Sequence, residues 1–180
     1  MTTLLEAMTC NPGSDSRNDV DRLDEPPLKA LPENGVYTIV VEVAEDLDVE
    51  VGSLGIIHLE RGYYAYTGSG LGKGALSVRG RVSRHISRAK RLKWHIDFLL
   101  SHPRALAVGV VASKASKEYE CVVALNLAKG GFVKRFGCSD CRCKSHLARL
   151  NCRGLEECLR LVSSVYKSLG LEPVALVLSR

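Results

Sequence analysis

The chain has 180 residues, of which 46% are hydrophobic, and a formal net charge of +5. This composition allows one globular domain with a real core, and no run of 18 or more apolar residues exists to span a membrane. The seven cysteines come without a secretory signal at the N-terminus, so we expect a cytoplasmic protein whose thiols are free or metal-bound rather than disulfide-bonded.

Positive charge is concentrated in one segment of the chain. Residues 73–104 hold nine Lys and Arg against the single acid Asp97, a net charge of +8, whereas residues 1–33 and 34–72 sum to −4 and −5. Such a segment is either the footprint of a polyanion such as nucleic acid or a solvated helix face. Charge alone leaves both interpretations open.

Three parts are predicted along the chain. Residues 1–32 are rich in Asn, Pro, Gly, Ser and Asp and predict a flexible tail. Residues 33–147 predict an α+β domain in which a small antiparallel sheet is flanked by helices. Residues 148–180 predict a C-terminal helix followed by a last strand.

The strands come first in the domain. Alternating apolar residues predict a strand over 36–43 and short strands over 49–51 and 56–59. Within the stretch GYYAYTGSG, residues 63–67 predict a further strand with Tyr64 and Tyr66 on one face, and residues 68–74 predict a loop. These consecutive strands together predict an antiparallel meander.

Helices alternate with a buried strand in the second half. Apolar spacings of three and four predict a helix over 75–90, with Arg81, His85 and Arg88 along one flank of its apolar stripe. A short helix over 93–100 and a buried strand over 105–112 follow. A helix over 117–129 has Glu118 and Glu120 in its first turn, where the helix dipole favours acids.

A cysteine-rich segment occupies residues 137–146. It holds four soft ligands within nine residues, Cys138, Cys141, Cys143 and His146, which is the donor set of a Cys₃His zinc site. This spacing is tight, and a ligand from elsewhere, Cys152 or Cys158, could complete the set. A reactive or buried thiol pair and ordinary packing are the alternatives to Zn²⁺.

Three short motifs resemble the GIY-YIG nuclease superfamily. Gly35-Val36-Tyr37 begins a strand, Tyr66-Thr67-Gly68 ends a later one, and the following helix carries Arg81 and His85. With KWHIDFLL, YEC and GCSDCRCKSHL, the string is similar to an archaeal branch known as domain of unknown function 123, over roughly residues 33–147. Valine and threonine replace the isoleucines of the two name-giving motifs.

The resemblance implies hydrolysis of a nucleic-acid phosphodiester. Tyr37 and Tyr66 would line the site, Arg81 would grip the phosphate, His85 would assist, and Glu120 would hold Mg²⁺ or Mn²⁺, with Glu118 as the alternative. A tyrosine acting as a base would need nearby positive charge to lower its pKa, which Arg81, Arg84 and a metal ion could supply. The cations expected to contact nucleic acid are Lys73, Arg79, Arg84, Arg88 and Lys93.

Two other functions fit the same residues. The branch is named for its unknown function, so the domain could bind nucleic acid without cleaving it. It could also be a zinc-stabilised module for protein interactions.

Overall fold

The computed structural model describes residues 28–138 and 141–178 of the chain. Within these residues there are seven strands and four helices. The strands are β1 (Gly35–Val43), β2 (Leu47–Glu50), β3 (Ile56–Leu59), β4 (Gly62–Gly70), β5 (Ala105–Ser113), β6 (Leu147–Leu150) and β7 (Val174–Val177). The helices are α1 (Val78–Ile86), α2 (His95–Leu99), α3 (Glu118–Leu127) and α4 (Leu155–Ser168).

Five of the strands form one antiparallel sheet in the order β6-β4-β1-β5-β7. The other two, β2 and β3, pair with each other as a separate antiparallel hairpin. The predicted α+β class, with an antiparallel sheet flanked by helices, is therefore confirmed. The predicted meander is wrong, because β1 pairs directly with β4 and the hairpin between them lies outside this sheet. The loop predicted from residue 68 also begins later, because residues 68–70 continue the pairing of β4 with β1.

The sheet is a middle layer with a hydrophobic core on each face. Tyr37, Ile39 and Val41 of β1 pack with residues of α1, α2 and the β2–β3 hairpin. Val36 and Val40 of the same strand pack on the other face, with α3 and α4. The alternation predicted for β1 is confirmed, and it explains why the strand is buried almost throughout.

The first helix is shorter than predicted. Its N-cap is Ser77, whose hydroxyl accepts a hydrogen bond from the backbone N–H of Gly80 at 3.1 Å. Residues 74–76 form a separate 3₁₀ turn, and Ser87 leaves the helix in an extended conformation. The helix over 75–90 is therefore reduced to Val78–Ile86, because the cap fixes its start.

The chain was predicted to divide into three parts at residues 32 and 147, and the structure describes residues on both sides of each division. Residues 1–27 of the predicted tail lie outside the described residues, whereas Leu31 is fully buried in the core. At the other end, β7 pairs with β5, and α4 packs against the sheet. The division at residues 32 and 147 stays a prediction.

Across residues 28–138 and 141–178, no helix combines the length and apolar composition that a membrane span requires.

Candidate active site

A cavity of about 510 Å³ opens where β1, β4, α1 and α3 meet. Its walls are more polar than the cores on either side of the sheet. The lining side chains that matter for chemistry are Tyr37, Tyr66, Ser69, Arg81, Lys93 and Glu120. Tyr37, Tyr66, Arg81 and Glu120 come from four different elements, so the fold brings together residues that the sequence singled out separately.

Cross-strand pairing places the first tyrosine. Tyr37 of β1 lies opposite Gly68 of β4 in the antiparallel register. A Cβ atom at Gly68 would lie 2.6 Å from the Tyr37 hydroxyl oxygen, which is closer than real atoms approach. The glycine that ends the Tyr66-Thr67-Gly68 motif is therefore needed because the Tyr37 ring crosses over it.

Arg81 forms the basic wall of the cavity. Its guanidinium lies 5.3 Å from the centre of the Trp94 ring and close enough to Tyr37 to affect the pKa of that hydroxyl. Within the part of the chain that the structure describes, its buried Nε atom has no hydrogen-bond partner. Buried polar atoms are normally paired, so an unpaired guanidinium nitrogen beside a cavity suits an anionic oxygen of a ligand.

Behind Tyr37 lies a buried chain of three side chains. The Tyr37 hydroxyl is 3.0 Å from Nε2 of His85, and Nδ1 of His85 is 2.9 Å from Oδ1 of Asp97. Burial lowers the pKa of His85, and the carboxylate of Asp97 only partly offsets this effect. A neutral imidazole beside a carboxylate carries its proton on Nδ1, so Nε2 accepts the Tyr37 O–H. His85 thus lies behind Tyr37 and not in the wall of the cavity.

The tyrosines do not have the lowered pKa that a basic neighbourhood was expected to produce. Burial raises the pKa of Tyr37 and Tyr66, and the charge of Arg81 only partly offsets the rise. Arg84, the other expected cation, instead donates to the carboxylate of Asp97. Desolvation of the hydroxyls outweighs the single guanidinium beside them, so the arginines alone do not lower either pKa, and the part assigned to a metal ion stays a prediction. Both side chains are neutral hydroxyls in this state.

Asp97 holds His85 behind the cavity, and it was not predicted from the sequence as a site residue. Burial of the carboxyl would raise its pKa, but hydrogen bonds from His85, the Trp94 backbone and Arg84 hold the pKa well below its usual range. The backbone N–H of Lys93 also donates to it, at 3.1 Å. The sequence did hold one indication of its role, since it is the single acid within a segment of net charge +8 and is surrounded in sequence by basic residues that it can pair with.

Glu120 closes the cavity on the α3 side. Ser69 donates its hydroxyl to Oε2, and Oε1 lies 3.0 Å from Nδ1 of His146. Its side chain is 13% exposed, so the carboxylate is partly accessible from the cavity. Glu118, the alternative metal ligand, is exposed and accepts a hydrogen bond from Ser116.

The five cations expected to contact nucleic acid are placed differently from one another. Lys93 lines the cavity, and Lys73 and Arg88 are exposed outside its lining. Arg79 donates from Nε to the Leu31 carbonyl at 2.8 Å, and Arg84 is held by Asp97 and the Arg91 carbonyl. Their contact with nucleic acid stays a prediction.

A second cluster of potential ligands adjoins the cavity at Glu120. It consists of Cys121, Cys141, Cys143 and His146, whose ligand atoms all lie within 4.8 Å of one another. This group of side chains can hold a metal ion. We call it the Cys/His cluster.

The Cys/His cluster corrects the predicted ligand set. Cys121, from the first turns of α3, takes the place expected for Cys138, because the Cys138 thiol contacts the Phe136 carbonyl instead. Cys152 and Cys158, considered as completing ligands, are bonded to each other.

The prediction of free or metal-bound thiols was also wrong in part. The structure contains two disulfides, Cys121–Cys143 and Cys152–Cys158. Each joins the first turns of a helix to another segment: Cys143 is 22 residues from Cys121 in sequence, and Cys152 is 6 residues from Cys158.

Comparison with known proteins identifies the family. The model of a family described as a domain of unknown function, DUF123, matches residues 36–170. The chain belongs to the DUF123 family. No curated protein and no solved structure matches the chain.

The match to the DUF123 model covers both groups of residues described above. It begins at Val36, before Tyr37, and it extends through the Cys/His cluster to the end of α4. The cavity and the cluster therefore both belong to the DUF123 domain.

Proposed function

We propose that this protein is a metal-dependent phosphodiesterase that hydrolyses nucleic acid. The observation that supports this most is the gathering of Tyr37, Tyr66, Arg81 and Glu120 around one cavity. The resemblance to GIY-YIG nucleases adds to it, since the same residues were selected from that pattern.

The arginine would bind the scissile phosphate. Its buried Nε atom offers a hydrogen bond that no described residue accepts, and the planar guanidinium matches two phosphate oxygens. Lys93 and Lys117 line the same cavity and would meet the neighbouring phosphates. Positive charge around a crowded phosphorus also stabilises the transition state as negative charge builds up.

Proton removal from the attacking water would use the Tyr37–His85–Asp97 chain. Tyr37 is neutral, so it accepts the water proton only as its own proton passes to Nε2 of His85. The carboxylate of Asp97 stabilises the imidazolium that forms. The raised pKa of Tyr37 is compatible with this role because no free phenolate accumulates.

Glu120 fits the predicted Mg²⁺ or Mn²⁺. It presents a partly accessible carboxylate to a polar cavity, and Mg²⁺ is commonly bound by one or two carboxylates together with waters and substrate phosphates. When bound, such an ion would neutralise charge on the phosphate and on the leaving oxygen. The predicted Zn²⁺ concerns the Cys/His cluster instead, because thiolates are ligands that zinc prefers.

The test compares two arginines on or near the same helix. Arg81→Ala removes the guanidinium from the cavity, whereas Arg88→Ala removes an exposed one outside it. We expect Arg81→Ala to lower the cleavage rate about 100-fold or more, and to weaken binding only modestly. Arg88→Ala should cleave at a rate close to wild type.

A non-cleaving binding module gives a different result. In that case wild type binds nucleic acid with a strong salt dependence but cuts none of the substrates, and Arg81→Ala loses affinity alone. That result would contradict the proposed function.

A further inference from the structure

We propose that the Cys/His cluster is a zinc site, and that zinc held there positions the Glu120 carboxylate through His146. The first part stands on the geometry of the cluster alone. The second part rests on the proposed function, because it gives Glu120 its role in the cavity.

The distances within the cluster match a tetrahedral ion. Nε2 of His146 lies 3.4 Å from Sγ of Cys141 and 3.7 Å from Sγ of Cys121. Zinc bonds of ordinary length imply a nitrogen–sulfur separation of about 3.6 Å across a tetrahedron. The four ligand atoms, all within 4.8 Å of one another, can therefore surround one ion once the Cys121–Cys143 disulfide is reduced and its two sulfurs move apart.

The chemistry of the donors selects the metal. Three thiolates and one imidazole form a common structural zinc set, and they are poor ligands for Mg²⁺ or Ca²⁺. His146 is buried, and its three cysteine partners are partly exposed. An enclosed four-ligand set of this kind is typical of a structural site and not of a catalytic one.

The cluster also joins two separate parts of the chain. Cys121 belongs to α3, while the other three ligands precede β6 in a segment with little regular structure. His146 itself is fixed to the sheet, because the Thr67 backbone N–H donates to its carbonyl at 2.9 Å. Metal bound here would tie α3 to the strand that carries Tyr66.

The link to the cavity is the second nitrogen of His146. Nε2 faces the thiols, and Nδ1 lies 3.0 Å from Oε1 of Glu120 without making a hydrogen bond to any described residue in this structure. A histidine that binds zinc commonly donates its other N–H to a carboxylate, which fixes both groups. Zinc on Nε2 would place the proton on Nδ1, facing Glu120, while Ser69 holds the other carboxylate oxygen.

The Cys121–Cys143 disulfide must be reduced before zinc can bind. A phosphine reductant supplies the two electrons: the S–S bond breaks, two thiols form, and the phosphine takes up an oxygen atom from water. Zinc then displaces one proton from each of the three cysteine thiols as the zinc–sulfur bonds form.

The experiment measures zinc in the full chain purified with a phosphine reductant. We expect about one zinc per chain after extensive dialysis in wild type. Cys141→Ser should lose this zinc, and Cys138→Ser should keep it, because Cys138 lies in the same segment but outside the cluster. Replacing zinc by Co²⁺ should give the intense visible absorption of tetrahedral thiolate coordination.

Three results would overturn the zinc site. In the first, the reduced wild-type protein holds no tightly bound zinc. In the second, Cys141→Ser holds as much zinc as wild type. In the third, Cys138→Ser loses as much zinc as Cys141→Ser does. The Co²⁺ spectrum is recorded on wild type, so this measurement does not depend on whether a variant folds.

A separate readout tests the positioning of Glu120. Glu120→Gln should weaken zinc about 10-fold in competition with a chelator, as expected for a partner of a metal-binding histidine. Zinc affinity unchanged in Glu120→Gln would contradict the coupling. This readout is a metal affinity and does not depend on nuclease activity. A failure of the coupling can therefore be distinguished from a failure of the proposed function.

Discussion

Two buried histidines flank the cavity, and each lies between a carboxylate and another functional group. His85 lies between Asp97 and the Tyr37 hydroxyl, and His146 lies between Glu120 and the thiols of the Cys/His cluster. The two arrangements are reversed with respect to the cavity. On the first side the tyrosine reaches the cavity and the carboxylate lies behind, whereas on the second side the carboxylate reaches the cavity.

The burial of the carboxylates explains the difference. Asp97 is fully buried and accepts hydrogen bonds from His85, Arg84 and backbone N–H groups, so it has no contact with the cavity itself. Glu120 is 13% exposed and lines the cavity. The same pair of side-chain types thus supports a proton acceptor on one side and a candidate metal ligand on the other.

Changing the carboxylate at the cavity should have the largest effect. Glu120→Gln removes the charge that we assign to metal binding and should lower the cleavage rate by about 1,000-fold. Zinc should remain near one per chain, because the ligands themselves are unchanged. The measurements are steady-state cleavage and zinc content on the same preparation. Cleavage at the wild-type rate would remove Glu120 from the site.

Changing the carboxylate behind the tyrosine should lower stability, in addition to any effect on the Tyr37–His85–Asp97 chain. Asp97→Asn replaces a buried negative charge by a neutral amide, which leaves the donors of Arg84 and the backbone without their charged partner. The free energy of unfolding should therefore fall by about 3 kcal/mol. Urea denaturation measures this. The matched control is Asp48→Asn, which changes an aspartate–histidine pair of similar length, 2.8 Å, on the surface.

The control should show no measurable change, because exposed ion pairs contribute little. Equal effects of Asp97→Asn and Asp48→Asn would contradict the role assigned to burial.

The hydroxyl of Tyr37 should matter for rate more than for folding. Tyr37→Phe interrupts proton transfer to His85 and should lower cleavage about 100-fold. Tyr64→Phe is the control, since its hydroxyl donates to the Glu60 carbonyl, away from the cavity. If both variants cleave equally well, the Tyr37–His85–Asp97 chain has no part in the reaction.

The smallest effect concerns pH. Burial lowers the pKa of His85, so near and below the ordinary value of 6.5 the unfolded chain binds more protons than the folded one. The free energy of unfolding should therefore fall as pH drops from 7 to 5. Asp97 would raise the pKa, and Arg84 and Lys90 lower it further.

The check is urea denaturation across this range in wild type and His85→Asn. The variant should have a shallower pH dependence, with the remaining slope assigned in part to His95, whose pKa is also lowered by burial. An identical slope in the two proteins would contradict the assignment.

Much of the fold was predictable because strand alternation is a local property. The faces of β1 followed from period two, and the helix carrying Arg81 followed from its apolar stripe. Its true start was not predicted, because it depends on the Ser77 cap. The cytoplasmic location stays a prediction.

The candidate site was predictable only where a motif marked it. Tyr37, Tyr66, Arg81 and Glu120 came from a resemblance, and the structure places them around one cavity. Asp97 and Cys121 were missed because they join the site through tertiary packing. Asp97 meets a histidine 12 residues away, and Cys121 meets a histidine 25 residues away.

The most direct test of the central claim is cleavage by the wild-type protein. Labelled single-stranded, duplex and branched DNA, and RNA, are incubated with the full chain in Mg²⁺ or Mn²⁺, and in parallel with a chelator. The account predicts that at least one substrate is cut at internal phosphodiester bonds when the metal is present, and none when it is chelated. Salt-sensitive binding without cleavage of any substrate would contradict it.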